Sequence, residues 1–148
     1  HEMATTVLKM FEGGEVLVLA GMAAQPERNE VFTICSAASH RIELEKQGVD
    51  VRRNEPEAGV IGMAALITAL GPVLGVKTSC TIATTVGSSV DPVAAQRLLE
   101  SIRNWWSLPL PVPIDATQRL ANKLNDMHPG KAEDMVSSLT ESPDSIYM

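Results

Sequence analysis

Aromatic side chains are scarce in this chain: two Phe, two Trp and one Tyr make up 3% of its 148 residues. Sequence-tolerant binding of single-stranded nucleic acid relies on several stacking rings, so that function has little to work with here. The core must be built from Val, Leu, Ile, Ala and Met instead. Positive charge is also short, since 12 Lys and Arg face 18 Asp and Glu for a formal net charge of -6. Binding led by phosphates wants a cationic face, so the chain as a whole repels a polyanion and only a local basic patch would serve. Cysteine is reduced to Cys35 and Cys80, both in apolar surroundings. That is no disulfide framework; the two read as reduced core thiols of a cytosolic-type compartment, with a virus interior as the other setting. His40 and His128 stand isolated, with no ligand pair at metal spacing, so no metal or cofactor is expected.

What is present fits one globular domain. The chain is long enough to bury a core, and 45% hydrophobic with 20% charged residues is ordinary for a folded protein. His1-Glu2-Met3 reads as a cloning remnant before a start at Met3, and Val16–Ala20, short and preceded by acids, does not read as a signal peptide. Ala58 to Val76 carries no charge and approaches the length of a membrane span. Its Gly59, Gly62, Gly71, Pro72 and Gly75 argue instead for a buried helix, a turn and the start of a strand.

Short β-type runs alternate with helical ones. Val16-Leu17-Val18-Leu19-Ala20, after Gly13-Gly14, has the continuous apolar character of a strand buried on both faces. Thr5 to Phe11 before it suits another strand or an irregular lead-in. Pro26 opens a helix with Glu27 and Glu30 near its positive end, and Val31, Ile34, Cys35 and Ala38 then fall on one helical face, with a stop at Gly48. Val49 to Arg52 alternates as a second strand. Pro56 opens a helix that runs to about Leu70 and breaks at Gly71-Pro72, and a third strand spans roughly Val76 to Ala83. Asp91-Pro92 caps a helix that turns Val93, Leu98, Leu99, Ile102 and one of Trp105 or Trp106 inward. Pro109, Pro111 and Pro113 delete donors on one side of an extended segment, as in a blocked edge strand, with polyproline II as the rival. Asp115 caps a last helix with Leu120, Leu124 and Met127 on one face.

Together these predict an α/β domain over residues 4–130 and a polar, flexible tail over 131–148. The expected architecture is a small three-layer sandwich, with a mostly parallel sheet of about three to five strands and helices on both faces. The element order resembles a BRCT-like sheet, with Trp105-Trp106 in the place of its core-helix tryptophan. The rest of the BRCT pattern is not evident, and topology alone carries no function.

Three groups of residues are candidates for function. The loops expected at the carboxyl ends of the strands, with Gly21, Thr84, Thr85, Gly87, Ser88 and Ser89, offer hydroxyls and backbone donors beside a helix start. An anionic metabolite or nucleotide would bind there, in a small enzyme or regulatory domain. Yet no Lys or Arg is present, no phosphate-loop or dinucleotide motif matches, Asp91 repels phosphate, and such residues fill any strand-to-helix loop. Arg41, Lys46, Arg52 and Arg53 form the densest basic group, one that would meet RNA or an acidic partner; their interleaved Glu43, Glu45, Asp50 and Glu55 favour a solvated ion-pair surface. Cys35 and His40 are spaced to point apart on one helix, which disfavours a thiol nucleophile.

The third group is the most unusual. From Glu57 to Leu70 the helix shows no charge after its first residue, and Val60, Ile61, Met63 and Ile67 cover more than one face. A covering helix should show water one face, so something must shield its outer side: the tail, the last helix or a second copy. Neighbouring Trp105 and Trp106 cannot both point into one core, which leaves one as an anchor for a partner. The reading that follows is a non-enzymatic interaction or assembly module, acting as a homodimer. An accessory assembly protein of a virus or phage particle is one such context.

Overall fold

A computed structural model describes residues 1–57, 59–87 and 91–110, with Arg119 and Lys123 beyond them. Ser88, Ser89, the proline segment from residue 111, the last helix with His128, and the tail lie outside the described residues.

The first element is helix α1, Glu2–Met10, which buries Ala4 and Leu8. The strand or lead-in expected over Thr5–Phe11 is therefore corrected. Thr5, Thr6 and Val7 have strand propensity, but Ala4 and Leu8 lie one helical turn apart and seat the helix on one stripe. Strand β1 follows at Glu15–Ala23, around the apolar run that marks it.

The helix expected from Pro26 is the second correction. Val31–Ile34 forms strand β2, and a shorter helix α2 starts only at Ala38, ending at Lys46. The apparent stripe of Val31, Ile34, Cys35 and Ala38 arises by coincidence of spacing. Val-Phe-Thr-Ile is a run of β-branched and aromatic residues, and its pairing in the sheet overrides the helical period. Its Phe32 is fully buried. The expected strand at Val49–Arg52 is reduced to one parallel bridge between Thr33 and Val51, held by Thr33 N–H donating to Asp50 O and Arg52 N–H donating to Thr33 O.

Helix α3 runs Gly62–Leu70, shorter than the span from Pro56, and a 3-10 turn over Pro72–Leu74 follows the Gly71 break. Strand β3, Lys77–Thr85, is almost wholly buried. Helix α4, Pro92–Trp106, starts as the sequence reads, with the Asp91 side chain accepting from Ala94 N. None of the described helices is long and apolar enough to cross a membrane.

The strand order is β1-β3-β2. β1 and β3 are parallel, with Leu19 opposite Thr81; β2 is antiparallel to β3, with Thr33 also opposite Thr81. The described sheet is thus mixed, which corrects the mostly parallel expectation for these three strands. Antiparallel entry of β2 follows from its being a strand at all: it returns directly from β1 with no helix between them to carry a parallel crossover. Side chains of one parity (Val18, Ala20, Met22, Cys80, Ile82) pack with Val60 and Ala64 at the start of α3. Those of the other parity, Leu19, Gly21 and Thr85, face Ala94, Ala95 and Leu98 of α4.

Candidate functional site

The parallel pairing of β1 and β3 brings their carboxyl ends side by side, with Gly21 opposite Ala83 and Ala23 opposite Thr85. Beneath α4 they enclose a recess of about 310 Å³, lined by Leu19, Gly21, Thr85, Asp91, Ala94 and Leu98 among others. Of the residues proposed from sequence as ligand-binding, Gly21 and Thr85 line it. The polar groups here are already engaged. Thr84 is fully buried; its hydroxyl donates to Arg28 O and accepts from Glu30 N at 2.8 Å. Thr85 Oγ1 donates to Asp91 Oδ2 at 2.9 Å, and Asp91 Oδ1 accepts from Ala94 N at 2.9 Å. The Asp91 carboxylate therefore occupies the helix start where an anion would be favoured. Gly87 takes φ +77, a conformation that suits glycine in this tight exit from the strand.

The basic group gathers around a second recess of about 360 Å³, between the end of β2 and α3, lined by Cys35, Arg41, Arg52, Arg53, Val60 and Thr68 among others. Lys46 stands apart, exposed in the last turn of α2. Arg52 is spent internally. It donates to Asp50 Oδ2 and Glu30 Oε2, both at 3.0 Å, and to Glu55 Oε2 at 3.2 Å, while its guanidinium lies 4.6 Å from the centre of the Phe32 ring. Asp50 first, then Glu30, holds it protonated beyond the ordinary arginine range. Arg28 pairs with Glu30 and Glu55 as well, and its guanidinium, with that of Arg52, keeps the Glu30 carboxyl below the usual range. Arg53 reaches Glu45 at 3.3 Å. Two of the group's three arginines, Arg52 and Arg53, are thus in ion pairs, the solvated arrangement that their interleaved acids suggest.

Cys35 follows β2 rather than lying inside a helix, and its thiol approaches Ala37 O and Thr78 O, each at 3.4 Å. Burial pushes it up from its ordinary value. His40 does not pair with it. That ring is buried in α2, with Nδ1 3.4 Å from Glu43 and Nε2 3.5 Å from Glu15, and Lys77 Nζ donates to the same Glu43 carboxylate at 2.5 Å.

The apolar group divides. Val60 is half-buried against the core, and Ile67 is half-buried on α3. Ile61 is 85% exposed and Met63 40%. Part of the shield on α3 is α1, an intramolecular cover hidden from the sequence reading because α1 was expected to be extended. Around it, Met3, Met10, Phe11 and Val73 add exposed apolar side chains that sequence reasoning missed; the Ala4–Leu8 stripe, once recognised as helical, places Met3 and Met10 off the buried line. Trp105 and Trp106 are both half-buried in an edge-to-face pair, centroids 6.1 Å apart. Trp106 Nε1 donates to Glu15 Oε1 at 3.3 Å, tying the end of α4 to the start of β1.

The sequence profile of the PAC2 family matches residues 2–126. The chain belongs to the PAC2 family. No curated protein matches it significantly. Among solved structures it is similar to Pyrococcus furiosus PbaA, described as an archaeal homolog of proteasome-assembly chaperone, with TM-score 0.70 and 22% identity over 93% of this chain and 61% of that one. It is similar also to Pyrococcus furiosus PbaB, described as an archaeal proteasome activator, with TM-score 0.68 and 18% identity over 85% of this chain and 55% of that one. A Thermoplasma acidophilum protein of unknown function gives TM-score 0.63 and 21% identity, over 95% and 57% of the two chains. At such identities the likeness is one of fold. This PAC2-family chain spans about three fifths of the length of the structures it matches.

Proposed function

We propose that this PAC2-family chain is a non-enzymatic protein–protein interaction module that acts in the assembly of a larger complex, with proteasome subunits as its partner class. The observation that carries the reading is the combination of family and fold with an apolar outer surface. The family profile covers residues 2–126, two similar folds are described by their roles toward the proteasome, and Ile61 and Val73 stand 85% and 79% exposed. Apolar side chains held in water are a standing cost that a partner removes. The proposed setting is the cytoplasm of a cell rather than a virus particle. With α3 and α4 against opposite faces of the sheet, we also read the unit as the three-layer sandwich suggested by its sequence.

The homodimer belongs to the same proposal, with Ile61 and Met63 at its contact and Trp105-Trp106 as a further anchor. Size-exclusion chromatography with light scattering, on wild type and Ile61→Glu, tests it: a dimer reduced to a monomer by the substitution is expected, and a wild-type monomer overturns the dimer. The assembly role is tested by mixing the chain with recombinant archaeal proteasome subunits and following complexes by native electrophoresis. A complex weakened by Ile61→Glu supports the role. No complex with the wild-type chain counts against it. The anionic-ligand reading is disfavoured because Thr84, Thr85 and Asp91 already satisfy one another and their neighbours.

A further inference from the structure

The recess between the end of β2 and α3 holds a cation without a counter-ion. Two of its arginines are matched: Arg52 meets Asp50, Glu30 and Glu55, and Arg53 meets Glu45. Glu55, in the same lining, is neutralised by Arg28 and Arg52. Arg41 lines the recess as well, half-buried on α2, yet among the described residues its guanidinium enters no ion pair or side-chain hydrogen bond. Its natural partner one turn on, Glu45, is turned to Arg53 at 3.3 Å. A half-buried charge is screened less than an exposed one, so it gains more from an anion. The start of α2 adds to the field, because Ala37 provides no side-chain cap and the first turn holds no acidic residue. On α4 the Asp91 carboxylate fills that place.

The walls set the rest of the chemistry. Ile34, Pro56, Val60 and Ala65 give the recess an apolar lining. Its hydroxyls are engaged already, Ser36 donating to Thr68 O at 2.6 Å and Thr68 to Ala64 O at 2.8 Å. The Cys35 thiol stands in the same wall; burial raises it, and the nearby Arg41 charge works the other way. At about 360 Å³ the space lies near the small end of ligand recesses, which span roughly 300–1,000 Å³. One unmatched cation calls for one negative charge. A dianion such as a phosphate ester would bring a second charge that no remaining cation meets, with Glu55 close by.

We infer that this recess binds a small organic acid, a single carboxylate on a short apolar chain. The Arg41 fork takes the carboxylate, a geometry that a planar guanidinium fits in bidentate fashion, while Ile34, Val60 and Ala65 receive the chain. The site is separate from the loops at the ends of β1 and β3, where Asp91 opposes anions. It is also independent of the assembly role, so either can fail while the other stands.

Hexanoate is the probe, with hexanamide as its uncharged match and inorganic phosphate as a bare anion. Calorimetry on the whole chain reads binding directly, and iodoacetamide labelling of Cys35 near about pH 8 reads occupancy of the recess. Hexanoate is expected to bind with a Kd near about 1 mM. At about 10 mM it should slow labelling by at least about fivefold, while hexanamide and phosphate leave the rate within about twofold. Arg41→Gln removes the cation, and Ala65→Leu fills the apolar side while keeping it. Each is checked for folding by thermal unfolding, and each is expected to weaken hexanoate by at least about tenfold. Absence of hexanoate binding in calorimetry up to about 20 mM overturns the proposal. So does equal protection by hexanamide or by phosphate, or full hexanoate binding in either folded variant.

Discussion

Gly71 lies flat against Thr78: a methyl group at position 71 would overlap the Thr78 side chain. The glycine is thus fixed by packing, at a backbone conformation any residue can adopt (φ -50, ψ -54). Thr78 is fully buried and its hydroxyl donates to Thr68 O at 2.9 Å, so it cannot simply swing aside. Gly71→Ala is expected to cost about 1–3 kcal/mol, the usual range for forcing a methyl into a filled site. Thermal unfolding reads this as a fall of several degrees, and Thr78→Ala in the same chain should return part of it.

A second pair predicts a double-mutant signature. Thr33 and Thr81 are both fully buried and their hydroxyls share a hydrogen bond at 2.8 Å across β2 and β3. Changing either one to Val strands the other hydroxyl, at about 1–3 kcal/mol, whereas changing both should cost less than either alone. Denaturant titration of the three variants measures the coupling; strict additivity would show that the bond contributes nothing.

Asp91 holds both the start of α4 and the end of β3, through Ala94 N and Thr85 Oγ1. Asp91→Ala is expected to destabilise the fold by about 0.5–2 kcal/mol, and Asp91→Asn, which keeps an acceptor, by less. Denaturant midpoints of the two variants give the comparison.

The two thiols should part company in reactivity and in pH response. Cys80 is fully buried and pushed up to about 11 from 9.0 by its burial. An acid whose pKa is raised by folding stabilises the fold below its unfolded value and loses that contribution as pH climbs toward the folded one. Melting temperature should therefore slope downward between about pH 9 and 11, with a gentler slope in Cys80→Ala. In the native protein a thiol-specific reagent should label half-buried Cys35 slowly near pH 7 and faster near pH 9, and reach Cys80 only on unfolding. Prompt labelling of Cys80 would contradict the packing.

Acid should act through the carboxylates. Glu30 is held below its usual range by Arg28 and Arg52, and Glu43 by Lys77 and His40. Groups depressed by folding stabilise above the unfolded value of 4.5 and lose that contribution as pH falls through the folded one. Stability should decline below about pH 4.5, and Glu30→Gln should flatten part of that decline in a melting series across pH.

Much of this fold is legible in the chain. The apolar run at Val16–Ala20, the β-branched run after Val76 and the Asp91-Pro92 cap each encode their element locally, because capping and burial on both faces leave local marks. β2 is misread because four spaced apolar residues fit two periods, and α1 because Thr5, Thr6 and Val7 have strand propensity; only the partner strand or helix decides each case. Whether a strand runs up or down a sheet leaves no mark in its own residues. The ion pairs around Arg52 were half legible, since Asp50 and Glu55 are neighbours in sequence, whereas Arg28 meets Glu55 only once the loops fold together.

β3 is the strand shared by both others, yet it comes after them in the chain. On a ribosome, Leu19 and Thr33 emerge well before Thr81, the residue against which both are seated. Through that interval two sticky hydrophobic ribbons wait without their template, so vectorial synthesis leaves a window for misassociation that closes only when Thr85 clears the exit tunnel.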